Sequence, residues 1–337
     1  MFATPQFLSL VDVARRAEAA GFHRIWTTET PARDALVRAL AFGLKTQTIG
    51  IGTGIAYAFT RAPLGLAAAA ADVGVALEGR FSLGIGAGTQ GMRSRWYGVR
   101  DFDHAASRIE EYAQILRAAW SASQEYRHEG RFFTGSYDEM GGPRRPVPIW
   151  GSGINPTMLR IAGRSCDGVA LHPLGAHTGH LDAVGLPAIA AGAAQNPRQP
   201  EIALWRMTSI DADAAAARQR ARRSLAFYFS TPSYGGVADQ TGWGAVAEQV
   251  RDGYRHQGPD WDRLSDMVPD EMVAQFCLAG TPDEVAGQWA VLEAEYEARG
   301  VTETVFQLVG DSGAVDETVG SLNAIVDVLG PRAAASS

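Results

Sequence analysis

The apolar run Phe81 to Ile85 is the feature that most constrains how this chain folds. It is entered through the turn Gly79-Arg80 and follows a helical pattern over 63–77 that opens on Pro63. A strand that is apolar at nearly every position is buried on both faces, which favours a parallel sheet covered by helices. Proline suits the first helical position, because the N–H it lacks would have no partner there. The same alternation recurs along the chain. Helical patterns cover 8–20, 35–44, 107–120, 156–163, 212–229, 283–298 and 315–329, the sixth opened by Thr281 as N-cap with Pro282 behind it. Strand patterns cover 23–27, 48–55, 81–85, 147–150, 168–171, 202–210 and 304–309. A (β/α)8 TIM barrel needs eight such strands. The eighth belongs before the first helix, where Met1 to Gln6 is short and contains Pro5, so the first strand is expected to be missing or irregular.

No second break in composition and no internal repeat occurs in the 337 residues. The expectation is one barrel domain over 1–332, with insertions near 89–104, 124–146 and 230–265 and a disordered tail at 333–337. The middle insertion contains a turn around Gly130 with the look of a β-hairpin, and the third is rich in Gly, Tyr and Trp.

Composition narrows the function. Hydrophobic residues at 46% and charged residues at 20% suit a soluble protein with a large core. A net charge of −7 without a basic stripe argues against nucleic acid as a partner. Cys166 and Cys277 make no disulfide framework and read as buried thiols. No His, Cys and carboxylate cluster has metal-ligand spacing, so no metal is expected. The first ten residues lack the basic and apolar regions of a signal peptide, and the longest apolar stretch, 64–71, is too short to span a bilayer. A cytoplasmic protein acting on a small molecule is the expectation.

In a barrel the active site lies on the loops that follow the strands. Those loops are Thr27-Thr28-Glu29-Thr30, Gly52 to Tyr57, Gly84 to Thr89, Gly151-Ser152-Gly153-Ile154-Asn155, and His172-Pro173. Glycine at a strand end admits close approach of a ligand, and bare N–H groups before a helix favour an anion. Each glycine loop alone reads more readily as a tight βα turn; three on one face weaken that reading. Glu29 reads either as a pocket carboxylate or as an acid near the next helix. His172 reads either as a donor to substrate or as a structural histidine. Tyr57, Arg93 and Trp96 are candidate substrate contacts, Arg93 as a grip on an anion. Trp243, Trp261 and Trp289 read as packing aromatics. No nucleophile elbow, P-loop or dinucleotide fingerprint sits at a strand-to-helix junction, which places the chemistry on a cofactor.

The run Ala19-Ala20-Gly21-Phe22-His23-Arg24-Ile25-Trp26-Thr27-Thr28-Glu29-Thr30 resembles the second strand of the bacterial-luciferase-like superfamily. Thr48 to Ile55 with Arg61-Ala62-Pro63, Gly79 to Gly86, Pro146 to Gly153, Ala162 to Gly168, and Thr281 to Ala286 resemble its later segments in order. Leu171-His172-Pro173 and Ala226 to Tyr234 look most like the actinobacterial branch that uses the deazaflavin coenzyme F420. The resemblance implies a homodimer passing a hydride between F420 and an organic substrate. It also implies a bulge with a non-proline cis peptide between Gly54 and Ile55, adjoining Thr53, on which the tricyclic ring rests. Glu29 would lie beside the ring, and Gly151, Ser152, Gly153, Ile154 and Asn155 near the cofactor tail. Thr30 and Thr89 depart from the histidine and glutamate that relatives place there, so those proton-transfer roles do not carry over. An FMN-dependent monooxygenase on the same barrel is the alternative, and a non-catalytic cofactor-binding relative a third.

Overall fold

The computed structural model describes residues 8–310 and 314–331. Its contacts divide the chain into two compact units, one of Phe22–Ala170 with Leu186–Glu201 and one of Met1–Gly21, Leu171–Gly185 and Ile202–Ser337. The stretch Met1 to Gln6, where the eighth strand was expected, and the tail 333–337 lie outside the described residues. Each of the seven strands read from the sequence is present.

The first unit carries β1 (Arg24–Thr27), β2 (Gly50–Thr53), β3 (Ala56–Tyr57), β4 (Phe81–Gly86), β5 (Tyr126–Glu129), β6 (Thr134–Tyr137), β7 (Ile149–Gly153) and the start of β8 (Gly168–Leu171). β1, β2, β4 and β7 are parallel neighbours in that order, with Ile25 opposite Ile51, Ile51 opposite Phe81 and Leu83 opposite Ile149. β4 is buried at every position, as a strand covered on both faces must be. Helix Pro63–Ala76 opens on its proline, and helix Ala35–Gly43 on Asp34, whose carboxylate accepts the Val37 N–H at 3.0 Å. Helix Ala105–Ser121 buries Ile109, Tyr112, Leu116 and Trp120, a stripe at helical spacing.

The stretch 48–55 reads as one strand, but the structure breaks it in two. Gly52 pairs with Ser82, whereas Ala56 pairs with Ile85. Residues 53, 54 and 55 therefore stand opposite only 83 and 84. One extra residue on one side of a ladder is a β-bulge, a device that re-aims side chains beside functional sites. The expected hairpin is β5 with β6, antiparallel, Tyr126 opposite Tyr137. It is held by Glu111, which accepts from the amides of Phe132 and Phe133 and lies 3.1 Å from His128 Nε2.

The second unit carries β9 (Glu201–Ile210, in this unit from Ile202 on), β10 (Cys277–Gly280) and β11 (Glu303–Leu308). β11 pairs with β9 over 203–208 and β10 over 207–210, both parallel. β10 is absent from the sequence reading. Thr281 and Glu284 form a reciprocal capping box at the head of helix Pro282–Glu297, with N–H to oxygen distances of 3.3 and 2.8 Å. Ile210, Leu278, Val285, Ile325 and Leu329 form the core behind it, with Trp289 packed at 4.8 Å against Phe306. The insertion 230–265 is not irregular: it folds into helices Gly235–Gln240, Gly244–Gln257 and Trp261–Ser265. Both cysteines are buried and free. Among the described residues no helix is long and apolar enough to cross a membrane.

Candidate functional site

The bulge after β2 organises the C-terminal end of the first unit's sheet. Thr53 is fully buried, and its hydroxyl replaces the ladder that the bulge interrupts. It donates to Gly84 O and accepts from Gly84 N–H, each at 2.9 Å. Gly54 N–H donates to Thr27 O at 2.7 Å, and the Gly54–Ile55 peptide is cis. Ile55 then lies over β4 where only glycine fits. A β-carbon at Gly84 would stand 1.9 Å from Thr53 O, and one at Gly86 would stand 2.1 Å from Ile55 Cδ1 and 3.3 Å from Ser152 Cβ. Ile55 and Ser152, far apart in sequence, thus both border Gly86.

The glycines of 151–155 have a packing role of their own. A β-carbon at Gly151 would meet Ala162 and Cys166 at 2.7 and 2.9 Å, and one at Gly153 would meet Met158 at 2.9 Å. Their absence lets helix Pro156–Ser165 press onto β7. Asn155 is its N-cap, Oδ1 accepting from Met158 N–H at 2.9 Å. The positive end of that helix is directed at the loop, an electrostatic setting that favours an anionic group.

Glu29, 6% exposed, is one end of an ion-pair chain. Arg61 Nη1 donates to both its oxygens at 2.8 and 2.9 Å, Arg61 Nη2 reaches Asp34 at 2.6 Å, and the Thr60 hydroxyl donates to Glu29 at 3.2 Å. Burial pushes the Glu29 carboxyl above the usual range, against the lowering effect of Arg61. The carboxylate therefore ties the turn before helix Pro63–Ala76 to the end of β1. Tyr112 completes the tie by donating from its hydroxyl to Arg61 O at 3.1 Å.

Tyr57 stacks on Phe59 with ring centroids 5.2 Å apart, and Tyr97 stands edge-on to both, at 5.8 and 5.2 Å. Phe102 extends the wall, 6.0 Å from Phe59. Arg93 braces this insertion from within, donating to the carbonyls of Ala87 and Gly88 at 3.1 and 2.9 Å. Its guanidinium is engaged with backbone rather than presented to an anion. Trp96 stands 44% exposed at the end of a single π-turn, Met92–Trp96.

His172 belongs to the second unit. It is half-buried, stacked on Tyr234 at 4.5 Å and edge-on to Tyr228 at 5.0 Å. Its Nδ1 accepts the Leu174 N–H at 3.3 Å, and burial pushes its pKa down to about 3. Near pH 7 the ring is neutral with its proton on Nε2, so it can donate a hydrogen bond but is no reservoir of positive charge.

The first unit thus gathers Glu29, Thr53, Gly54, Ile55, Tyr57 and 151–155 at strand ends, and holds Arg93 and Trp96 on the following insertion. Sequence reasoning missed Arg61 as the partner of Glu29 and missed Tyr97 altogether. Arg61 stands immediately before the helix-opening Ala62-Pro63, the one signal that placed it near a strand end.

Comparison with known proteins agrees with this architecture. The model of the luciferase-like monooxygenase family matches residues 3–303. An uncharacterised protein of Mycobacterium bovis is 30% identical over 296 residues, 84% of this chain and 86% of the relative. A putative coenzyme F420-dependent oxidoreductase of Mycobacterium tuberculosis is 28% identical over 319 residues, 87% of this chain and 89% of the relative. The structure of the coenzyme F420 dependent tetrahydromethanopterin reductase from Methanopyrus kandleri superposes with a TM-score of 0.75 at 21% identity, covering 95% of this chain and 94% of that one. The chain belongs to the luciferase-like monooxygenase family, and its fold is the α/β TIM-barrel type of that family.

Proposed function

We propose that this protein is an oxidoreductase that binds the deazaflavin coenzyme F420 and acts on a small organic molecule. The observation that carries this reading is that Ile55 and Ser152 both border Gly86, beside a helix N-terminus, in a family member with an F420-named relative along most of its length. The bulge offers a flat, uncharged surface on one strand end, and the 151–155 loop offers an anion-favouring helix end on the next. A planar ring carrying a phosphorylated tail has that same pairing of needs. When bound, the deazaflavin supplies a hydride donor or acceptor. The chain's own work is placement: Thr53, Gly54 and Ile55 shelve the ring, while Ser152 and the helix end hold the tail. Glu29, pinned by Arg61, sets a fixed negative charge beside the ring's polar edge. His172, in the second unit, is neutral and can donate a hydrogen bond from Nε2.

The proposal includes a cytoplasmic homodimer. Val37 and Leu44, on and just after helix Ala35–Gly43, and Val75, on helix Pro63–Ala76, are 58%, 57% and 67% exposed. Apolar surface of that kind is commonly covered by a second copy.

Titration of the purified protein with oxidised F420 and, separately, with FMN, followed by fluorescence quenching, tests the cofactor. Micromolar affinity for F420 with weaker FMN binding is expected. Preference for FMN would replace the proposal with a flavin monooxygenase, and binding of neither with a non-catalytic relative.

A further inference from the structure

The hydroxyl of Tyr97 is the one polar group in the aromatic cluster of the first unit with nothing to bond. Its oxygen is closed off from solvent and has no hydrogen-bond partner among the described residues. Burial first, and the negative charge of Glu29 next, push its pKa up to about 12, so it keeps its proton throughout the physiological range. A protonated, enclosed phenol without an acceptor is costly to maintain, and such groups in folded proteins call for a functional explanation. The surroundings say which acceptor fits. Tyr57, Phe59 and Phe102 wall the ring with apolar faces, which suits a flat apolar body. The arginines nearest the cluster are engaged: Arg61 by Glu29 and Asp34, Arg93 by the Ala87 and Gly88 carbonyls, and Arg108, which lies over the Phe102 ring, by the Asp103 carbonyl. A carboxylate or phosphate there would face Glu29 and find these cations already committed.

We infer that Tyr97 is a substrate-binding residue whose hydroxyl donates to the oxygen of a neutral ketone with an aromatic or cyclic body. The inference rests on the oxidoreductase reading above and names the class of its substrate. Enclosure also sets how the ligand arrives: the segment bearing Tyr97 must lift. Gly88 and Gly98 flank that segment with φ of +57° and +70°, and no atom lies within 4 Å of where a Gly98 β-carbon would stand.

Acetophenone, ethylbenzene and benzoate serve as probes, since they share a ring and differ in the group offered to the phenol. Their affinities are measured by saturation-transfer NMR on the wild type and Tyr97→Phe, in the presence of whichever of F420 or FMN quenches. If neither cofactor binds, the same titration is run on the protein alone. Acetophenone is expected to bind the wild type about tenfold more tightly than ethylbenzene and benzoate. Y97F should abolish that preference, leave ethylbenzene and cofactor quenching unchanged, and melt no lower than the wild type. That last readout separates binding from structure, because a hydroxyl with an internal partner lowers the melting temperature when removed. A preference for acetophenone retained in Y97F, no preference in the wild type, or a lower melting temperature in Y97F would each overturn the inference. A failed cofactor titration with an intact ketone preference would sink the oxidoreductase reading alone.

Discussion

Replacing Gly84 by alanine tests the bulge, on which the candidate site is built. The new β-carbon would stand 1.9 Å from Thr53 O, a backbone atom with no rotamer to escape into. The two strands must part by about 1.5 Å to restore van der Waals contact. That movement stretches both 2.9 Å bonds between the Thr53 hydroxyl and the Gly84 backbone. Overpacking of this kind costs about 1–3 kcal/mol, and each lost bond about 0.5–1.5 kcal/mol. G84A should therefore lose roughly 2–6 kcal/mol in urea denaturation. Gly86→Ala makes the instructive comparison, because its closest obstacle is the end of a side chain, Ile55 Cδ1 at 2.1 Å. Ile55→Val removes that atom, so the double variant G86A/I55V should be more stable than G86A alone. No second substitution of a side chain rescues G84A. Gly65, with no neighbour within 4 Å in an exposed helical position, gives the opposite sign: G65A should gain about 0.5–1 kcal/mol. A G84A protein within about 1 kcal/mol of the wild type would refute the bulge as the constraint on that glycine.

Arg61→Ala strands a buried carboxylate and should cost about 3 kcal/mol, while adding Glu29→Gln should recover part of the loss, since the neutral amide tolerates burial without a cation; denaturation of the single and double variants reads the coupling. His172 binds no proton in the folded state between its folded pKa of about 3 and its ordinary value of 6.5, whereas the unfolded chain does. Its contribution to stability is therefore complete above about pH 6.5 and lost as pH falls toward 3, and His172→Gln should flatten the stability profile across that window. At Glu111, burial alone would raise the carboxyl, but hydrogen bonds from His128, Phe133 and Phe132 outweigh it and hold the pKa below 4.5. That stabilisation is present above the ordinary carboxylate pKa and disappears as pH falls through the folded one. Protection factors of the β5–β6 hairpin amides, exchange rates divided into their intrinsic values at each pH, should accordingly fall on acidification in the wild type and show no such step in Glu111→Gln.

What could be read from the sequence and what could not divide along a physical line. β4 was legible because burial on both faces leaves an apolar residue at nearly every position. The helix cap at Thr281 was legible because a short polar side chain followed by proline satisfies local donors with local atoms. β10 was not, since four residues are too few to show a period and its partner lies some seventy residues earlier. The insertion 230–265 hid three helices because its glycines and aromatics blur the 3.6-residue stripe. The bulge at 53–55 was given by the family resemblance, which implied it together with the cis peptide at Gly54–Ile55, and not by the residue pattern: the strand-like pattern continues through it, and the register changes through one threonine hydroxyl bonded across strands.

The candidate site follows the same division, with a consequence for how members of this family can differ. The parts proposed to hold the cofactor, Thr53 to Ile55 and 151–155, are strand ends and a capped helix, so their geometry is fixed by the sheet and the cap. The parts that would meet a substrate are not local at all. Glu29 reaches Arg61 across two loops, and Tyr97 meets Tyr57 and Phe59 only because the segment after β4 folds back over β3. Such contacts can change with a loop while the sheet stays the same. A fixed shelf and a variable wall are what a shared fold needs in order to keep one kind of cofactor and exchange substrates. On this argument, exchanging residues 89–104 should alter ketone preference while leaving cofactor affinity intact. Loss of both together in a folded variant would show that wall and shelf are one unit.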